Sequence, residues 1–248
     1  MDNEQLKRYS RHIMLPQVDY EGQEKLVNAK VLIMGCGGLG SPVAMYLASS
    51  GVGEMTITDF DKVEISNLQR QIAHGTQDLG RDKVDSMAET LNRINPLVKI
   101  HRIKERLEGE SLYQQIATAD VIVDTTDNFA TRFAVNEACV KLKKPLVSGA
   151  VIRMEGQITV FRNDLADSPC YRCLYVDGAE LGETCTQSGI LAPVVGIVGS
   201  IQATETLKVI MGLGDTLTGR LLLLDALTMD WRVMKLRKDP HCPICGHI

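Results

Sequence analysis

Val31 to Gly40 reads VLIMGCGGLG, four apolar residues running into glycines at 35, 37 and 40. A short apolar, β-branched run ahead of G-x-G-x-x-G is the pattern of a buried strand that breaks into a tight turn and opens a helix. Working outward, SPVAMYLASSGVG has the spacing of a helix and MTITD that of a second strand, ending at Asp59. The rhythm continues through a helical DKVDSMAETLNRINP, the strand VKIHRI, the strand ADVIVDTTD (119–127), a helical FATRFAVNEACVKLKK and PLVSGAV (145–151). Strands alternating with helices imply βαβ units and a parallel sheet, so the fold class expected is α/β, Rossmann-like and doubly wound.

After Val151 the grammar changes. GQITVF, RLLLLDA and WRVMKLR read as strands without crossover helices, as an antiparallel extension of the sheet would. Between them lie a loop (162–188) and an apolar helix from Ile190 to Met211, with Pro193 in its first turn. No repeat, low-complexity tract or linker separates the halves. The expected organisation is one domain over 1–248: a helical arm (1–29), a nucleotide-binding core (30–151) and an extension (152–248). The arm, helical from Asn3 to Val27, would pack on its own sheet or on a neighbour.

The 248 residues are 44% hydrophobic and 23% charged, with a formal net charge of -4. That composition suits a globular fold and disfavours nucleic acid or an anionic membrane as partner. The N-terminus MDNEQLKRYSRH has no apolar signal region, and the stretch ILAPVVGIVGSI (190–201) is too short to span a bilayer before Gln202, Glu205 and Lys208. A cytoplasmic location is therefore expected, with the seven cysteines as thiols.

Three constellations carry chemistry. In the first, Gly35, Gly37 and Gly40 permit close approach of phosphate to a helix starting near Leu39, and Asp59 offers an acceptor for ribose hydroxyls. Strand, glycines, helix, strand and acid in that order select a ribonucleotide over an empty turn. They leave open whether the ligand is a redox dinucleotide, as in a nicotinamide dehydrogenase, or another nucleotide.

The second is SNLQRQ (Ser66, Asn67, Leu68, Gln69, Arg70, Gln71), followed by Lys83 and by Asp127 and Asn128 at the end of a strand. Ligands of open α/β sheets sit beyond the carboxyl ends of strands, where these segments converge. Two cations and a carboxylate suit ATP and Mg²⁺ rather than a nicotinamide pocket. Taken singly, each of these residues is an ordinary surface or helix-start charge.

The third is CYRC (Cys170, Cys173) with CPIC (Cys242, Cys245), two C-x-x-C pairs about 70 positions apart. Four thiolates from two such pairs suit a closed tetrahedral Zn²⁺ site. A dithiol redox pair, a His241 or His247 ligand, or plain free thiols are the alternatives. Cys36 and Cys139 read as packing residues. Cys185, in ELGETCTQSG, is either an incidental loop thiol or a reactive one favoured by the following helix start.

With these residues in place, the sequence resembles the MoeB/ThiF/HesA family, relatives of ubiquitin-activating enzymes. The resemblance runs from RYSRHIMLP (8–16) through GCGGLGSP, GVGEMTITDFDKVEISNLQRQ, TDN, PLVSGAVIRMEGQITVF, CYRC and APVVGIVGSIQATETLK to CPICG, nearly the whole chain. It implies ATP-dependent adenylation of the C-terminal glycine of a ubiquitin-like sulfur-carrier protein ending in Gly-Gly, with release of pyrophosphate. It assigns Gly38 to the nucleotide turn, Asp59 to the ribose, Ser66 to Arg70 and Lys83 to the phosphates and Asp127 to Mg²⁺. Asp61, Gln71 and Asn128 complete the expected nucleotide set, and Arg11, Asn67, Arg70, Lys83 and Asp127 the catalytic one.

Arg11 matches a residue that reaches the neighbouring protomer's ATP, which implies a homodimer. The four cysteines match the family's zinc ligands. RMEGQITVF, SGILAP and the tail resemble the MoeB branch, whose carrier is the small subunit of molybdopterin synthase, more than the ThiF branch of thiamine biosynthesis. In ThiF-like members a cysteine in the loop of Cys185 accepts the acyl group. A cysteine desulfurase or rhodanese is the implied sulfur donor.

Overall fold

The computed structural model describes residues 1–175 and 189–246. Eight strands form one sheet in the order β3-β2-β1-β4-β5-β6-β7-β8. They are β1 (Lys30–Met34), β2 (Glu54–Thr58), β3 (Lys99–Ile103), β4 (Val121–Asp124), β5 (Pro145–Ile152), β6 (Glu155–Arg162), β7 (Arg220–Asp225) and β8 (Asp230–Lys235). Strands β1 to β5 pair in parallel, and β5 through β8 pair antiparallel. The chain builds outward from β1 through β2 to β3, then returns to place β4 on the other side of β1. That reversal leaves a crevice beyond the carboxyl ends of β1 and β4, where open α/β sheets hold their ligands.

The alternation of side chains along β1 divides the core. Val31 and Ile33 join a cluster on one face with Val43, Leu47, Val84, Met87 and Val198. Leu32 and Met34 join the other face with Leu112, Ile116, Val135 and Phe161. The first face is covered by α3 (Asp19–Asn28), α4 (Gly40–Ser49), α5 (Lys83–Ile94) and α9 (Ala192–Met211), the second by α6 (Gly109–Thr118), α7 (Phe129–Lys141) and the short α8 (Tyr171–Leu174). Because β1 and β4 are covered on both faces, their residues read as unbroken apolar runs.

Three details differ from the sequence reading. A crossover helix, α6, stands between β3 and β4, with Leu112 and Ile116 one turn apart and buried. Its mostly polar sequence hides that single pair of anchors.

The N-terminal arm is not continuous: it divides into α1 (Asn3–Arg8), α2 (Ser10–Ile13) and α3. Pro16, which removes a helical donor, and Asp19, at φ 49°, lie at the break between α2 and α3. The arm packs on its own chain, where Asn95 Nδ2 donates to the hydroxyl of the buried Tyr9 at 2.8 Å.

Finally, α9 spans 20 residues, longer than the apolar stretch alone, and by length and composition it could cross a membrane. Here it is a core helix. Gln202 Nε2 donates to the Asp124 carbonyl at 2.9 Å, Glu205 pairs with Lys208 at 2.6 Å, and Gly199 lies against Pro42 of α4.

Candidate nucleotide site and cysteine cluster

The crevice at the switch point opens into a cavity of about 680 Å³. Gly35, Gly37 and Gly38 form one wall. Gly35 has φ 102°, a conformation that a side chain resists, and its Cβ would meet Thr125. Gly37 and Gly38 face the cavity directly. Gly40 lies behind the turn, where a Cβ would fall 2.1 Å from the Gly35 carbonyl oxygen, so only glycine lets α4 start this close to β1. The N–H groups of Gly37, Gly38 and Leu39 donate to no group among the described residues. Three free donors at a helix start form an anion-binding concavity.

Asp59 follows β2 and lines the same space. Its Oδ2 accepts from the Cys36 N–H at 2.8 Å and its Oδ1 from the Asp61 N–H at 2.9 Å. Each oxygen keeps a lone pair for a further donor. Burial pushes this carboxyl above its ordinary value, against the pull of Lys83. Lys83 begins α5 with only 5% of its surface exposed, and its Nζ bonds Asp61 Oδ2 at 2.8 Å. A nearly buried ammonium lining a cavity beside free N–H donors is a site for an anion.

Arg70 and Gln71 also line the cavity, with Arg70 Nη1 held on the Ser66 carbonyl at 3.0 Å. Ser66, Asn67, Leu68 and Gln69 form the turn that carries Arg70 and do not themselves line it. Asp127 stands exposed at its edge, and Asn128 both lines it and caps α7, accepting from the Thr131 N–H at 2.9 Å. Arg11 lies outside this space, exposed on α2 with Nη1 3.7 Å from Met14 Sδ. Cys185 lies outside the described residues, as does His247.

Several lining residues were not legible as site residues. Phe60 and Arg106 stack at the rim, the guanidinium 4.8 Å above the ring, on the side where β2 and β3 end. Arg132, one turn into α7, is buried and donates to the carbonyls of Thr126 and Gly149. Burial opposes its charge, and Asp124 beneath it restores and strengthens that charge. Beyond Arg132 the cavity continues under the antiparallel strands past Phe129, Gln157, Tyr175 and Arg232. The spacing of Asn128 and Arg132 at i and i+4 was the one available signal for Arg132.

The four cysteines converge. Cys170, Cys173, Cys242 and Cys245 place their sulfurs within 4.8 Å of one another. Cys170 Sγ lies 3.7 Å from Cys242 Sγ, and Cys173 Sγ 3.4 Å from Cys245 Sγ. Disulfides need about 2 Å. Tetrahedral zinc, with Zn–S of about 2.3 Å, sets sulfurs roughly 3.8 Å apart, and the cluster fits it.

Packed against one another, the thiols divide: bonds from Cys170 pull Cys173 down, while contact with Cys173 drives Cys170 up and burial drives Cys245 up. Four thiolates here require a cation. His241 stands outside the cluster, and Cys36 and Cys139 are buried thiols pushed up by that burial, as packing residues are.

The ThiF family model matches residues 9–244. This chain belongs to the ThiF family. The ThiF chain is 45% identical over 246 residues to the molybdopterin-synthase adenylyltransferase of Escherichia coli (strain K12), covering 99% of this chain and 98% of that protein. It is 42% identical to the sulfur carrier protein ThiS adenylyltransferase of the same organism, over 99% and 97% of the two chains. Among solved structures, the ThiF fold here superposes on E. coli MccB crystallised with ATP at a TM-score of 0.83 and 25% identity, covering 96% of this chain and 73% of that one.

Proposed function

We propose that this chain adenylates the C-terminal glycine carboxylate of a ubiquitin-like sulfur-carrier protein, using ATP and releasing pyrophosphate. The observation that carries this reading is one continuous cavity. It joins the free N–H groups of the glycine turn to Lys83, Arg70 and Asp127 and then runs on under β6 to β8, leaving room for a peptide tail beside a nucleotide. The names of the relatives, one acting on molybdopterin synthase and one on ThiS, support the same chemistry.

The carboxylate oxygen attacks the α-phosphorus in line, the bond to the β-phosphate bridging oxygen breaks, and pyrophosphate departs with that electron pair. Both reactants are anions, so the protein's task is to hold them together and offset their charge. A carboxylate is already ionised and needs no general base. Lys83 and Arg70 supply cations, the glycine turn supplies donors, and Asp59 receives the ribose.

Asp127, exposed at the cavity edge, is the residue that would hold Mg²⁺, which spreads charge over the phosphates. Arg11, remote from its own cavity, fits a homodimer in which it reaches the partner's nucleotide. The four cysteines fit a structural zinc ion that ties the tail to the segment after β6. Reduced thiols suit the cytoplasm, and a cysteine desulfurase or rhodanese suits the subsequent sulfur step.

The MoeB-like features of the sequence favour the small subunit of molybdopterin synthase as carrier, with a ThiS-like carrier as the alternative. Incubation with ATP, Mg²⁺ and each carrier, followed by intact mass, tests the proposal. An AMP adduct on one carrier, with carrier-dependent ATP–pyrophosphate exchange, is expected. Absence of both, together with tighter binding of NADH than of ATP, would return the glycine turn to a dehydrogenase reading. If Cys185→Ser transfers sulfur as well as wild type, that thiol is a bystander.

A further inference from the structure

His74 is buried beneath the glycine turn and takes no part in the chemistry above. Its Nε2 lies 3.0 Å from the Cys36 carbonyl oxygen and its Nδ1 2.8 Å from Ser86 Oγ. A carbonyl only accepts, so Nε2 carries the hydrogen. Burial pushes the imidazole below its ordinary value, which favours the neutral ring, and Nδ1 faces a Ser86 hydroxyl that the Asp78 carboxylate also engages.

Cys36 is thus gripped from both ends, its N–H by Asp59 at 2.8 Å and its C=O by His74. The peptide unit is planar and trans, so a Cys36 C=O drawn toward His74 sends the Gly37 N–H the opposite way. Gly37 lines the cavity, and its N–H is one of the three free donors.

We infer that His74 is a positioning residue for the nucleotide: by fixing the Cys36–Gly37 peptide, it aims the donors of the glycine turn at the phosphates of ATP. This rests on the adenylation reading above. Without the Nε2–H bond, the buried Cys36 carbonyl has no donor and the peptide is free to rotate, which scatters the three N–H groups before ATP arrives. The preorganisation of the turn is what His74 adds.

Two substitutions separate this role from simple core filling. In His74→Gln the amide nitrogen reaches about as far as Nε2 and keeps a donor for Cys36; in His74→Asn it reaches only as far as Nδ1 and keeps the Ser86 contact alone. ATP binding is measured by calorimetry in Mg²⁺, with KM and kcat of pyrophosphate exchange and a thermal midpoint for each variant. His74→Asn is expected to weaken ATP binding about tenfold, with KM rising in step and kcat within about twofold, while His74→Gln stays within about threefold of wild type.

Equal ATP affinity in wild type and a folded His74→Asn overturns the role of His74. Should His74→Asn not fold, ¹⁵N NMR of the wild-type imidazole decides: a neutral ring protonated at Nε2 is expected, and a ring protonated at Nδ1 alone overturns it. A wild-type protein that binds no ATP refutes instead the adenylation reading itself.

Discussion

Stripping zinc from protein that has bound it at the four cysteines, as proposed above, should lower the stability of the whole chain. Cys170 and Cys242 lie 72 positions apart in sequence, and the segment between them contains α9, β7 and β8. Closing a loop of that length removes chain entropy from the unfolded state worth about 4 kcal/mol in the cross-link model, and a four-thiolate ion makes such a closure. For a domain near 250 residues, roughly 2–4 °C of midpoint per kcal/mol gives a fall of about 8–16 °C.

Lys238 Nζ donates to the Ala166 carbonyl at 2.8 Å and the Asp239 N–H lies 3.4 Å from Cys173 Sγ. The assay is calorimetry on protein with one zinc per chain by mass spectrometry, before and after chelation in a thiol-free reductant, with thiols counted to exclude disulfides. A midpoint within about 2 °C after complete removal would mean that the cysteine cluster does not cross-link the fold.

Four further outcomes are expected. Lys83→Met, Arg70→Ala and Asp127→Ala should each slow carrier-dependent pyrophosphate exchange about 10²–10³-fold while ATP binding survives better; wild-type exchange rates would contradict the assigned roles. Mixing Arg11→Ala with Lys83→Met protein should restore part of the exchange activity through mixed dimers, and none appears if each site is complete in one chain. Gly40→Ala drives a Cβ to 2.1 Å from the Gly35 carbonyl oxygen, and should cost about 1–3 kcal/mol in urea unfolding and abolish ATP binding.

The pH dependence follows from His74, which burial holds below the ordinary imidazole value. The unfolded chain therefore takes up the proton first, so this contribution is complete above about pH 6.5 and is lost as pH falls toward the folded value. Urea unfolding at pH near 7.5 and 5.5 should show a smaller loss for His74→Gln than for wild type.

Most of the fold, and the residues that gather at the mouth of the cavity, were legible in local spacing. VLIMGCGGLG and the strands after it declare a parallel sheet because strands covered on both faces must be continuously apolar, and the glycines answer a steric demand that acts locally. The two C-x-x-C pairs marked Cys170, Cys173, Cys242 and Cys245 as candidate ligands because spacing within each pair is set by the chain itself, and the fold brings the four sulfurs together.

Tertiary structure decided what no local spacing encodes. Arg132, Phe60 and Arg106 belong to the cavity because α7 begins and β2 and β3 end around it, and apart from the i and i+4 spacing of Asn128 and Arg132 nothing in their own segments marks them. The polar helix α6 hides because two apolar anchors suffice once a sheet is there to receive them. Ser66 to Gln69 proved to be the turn that presents Arg70, since a loop's residues divide between facing the ligand and holding the loop. His74 shows the difference most plainly: nothing in QIAHGT marks it, and its place under Cys36 exists only when the loop after β2 folds back beneath the glycine turn.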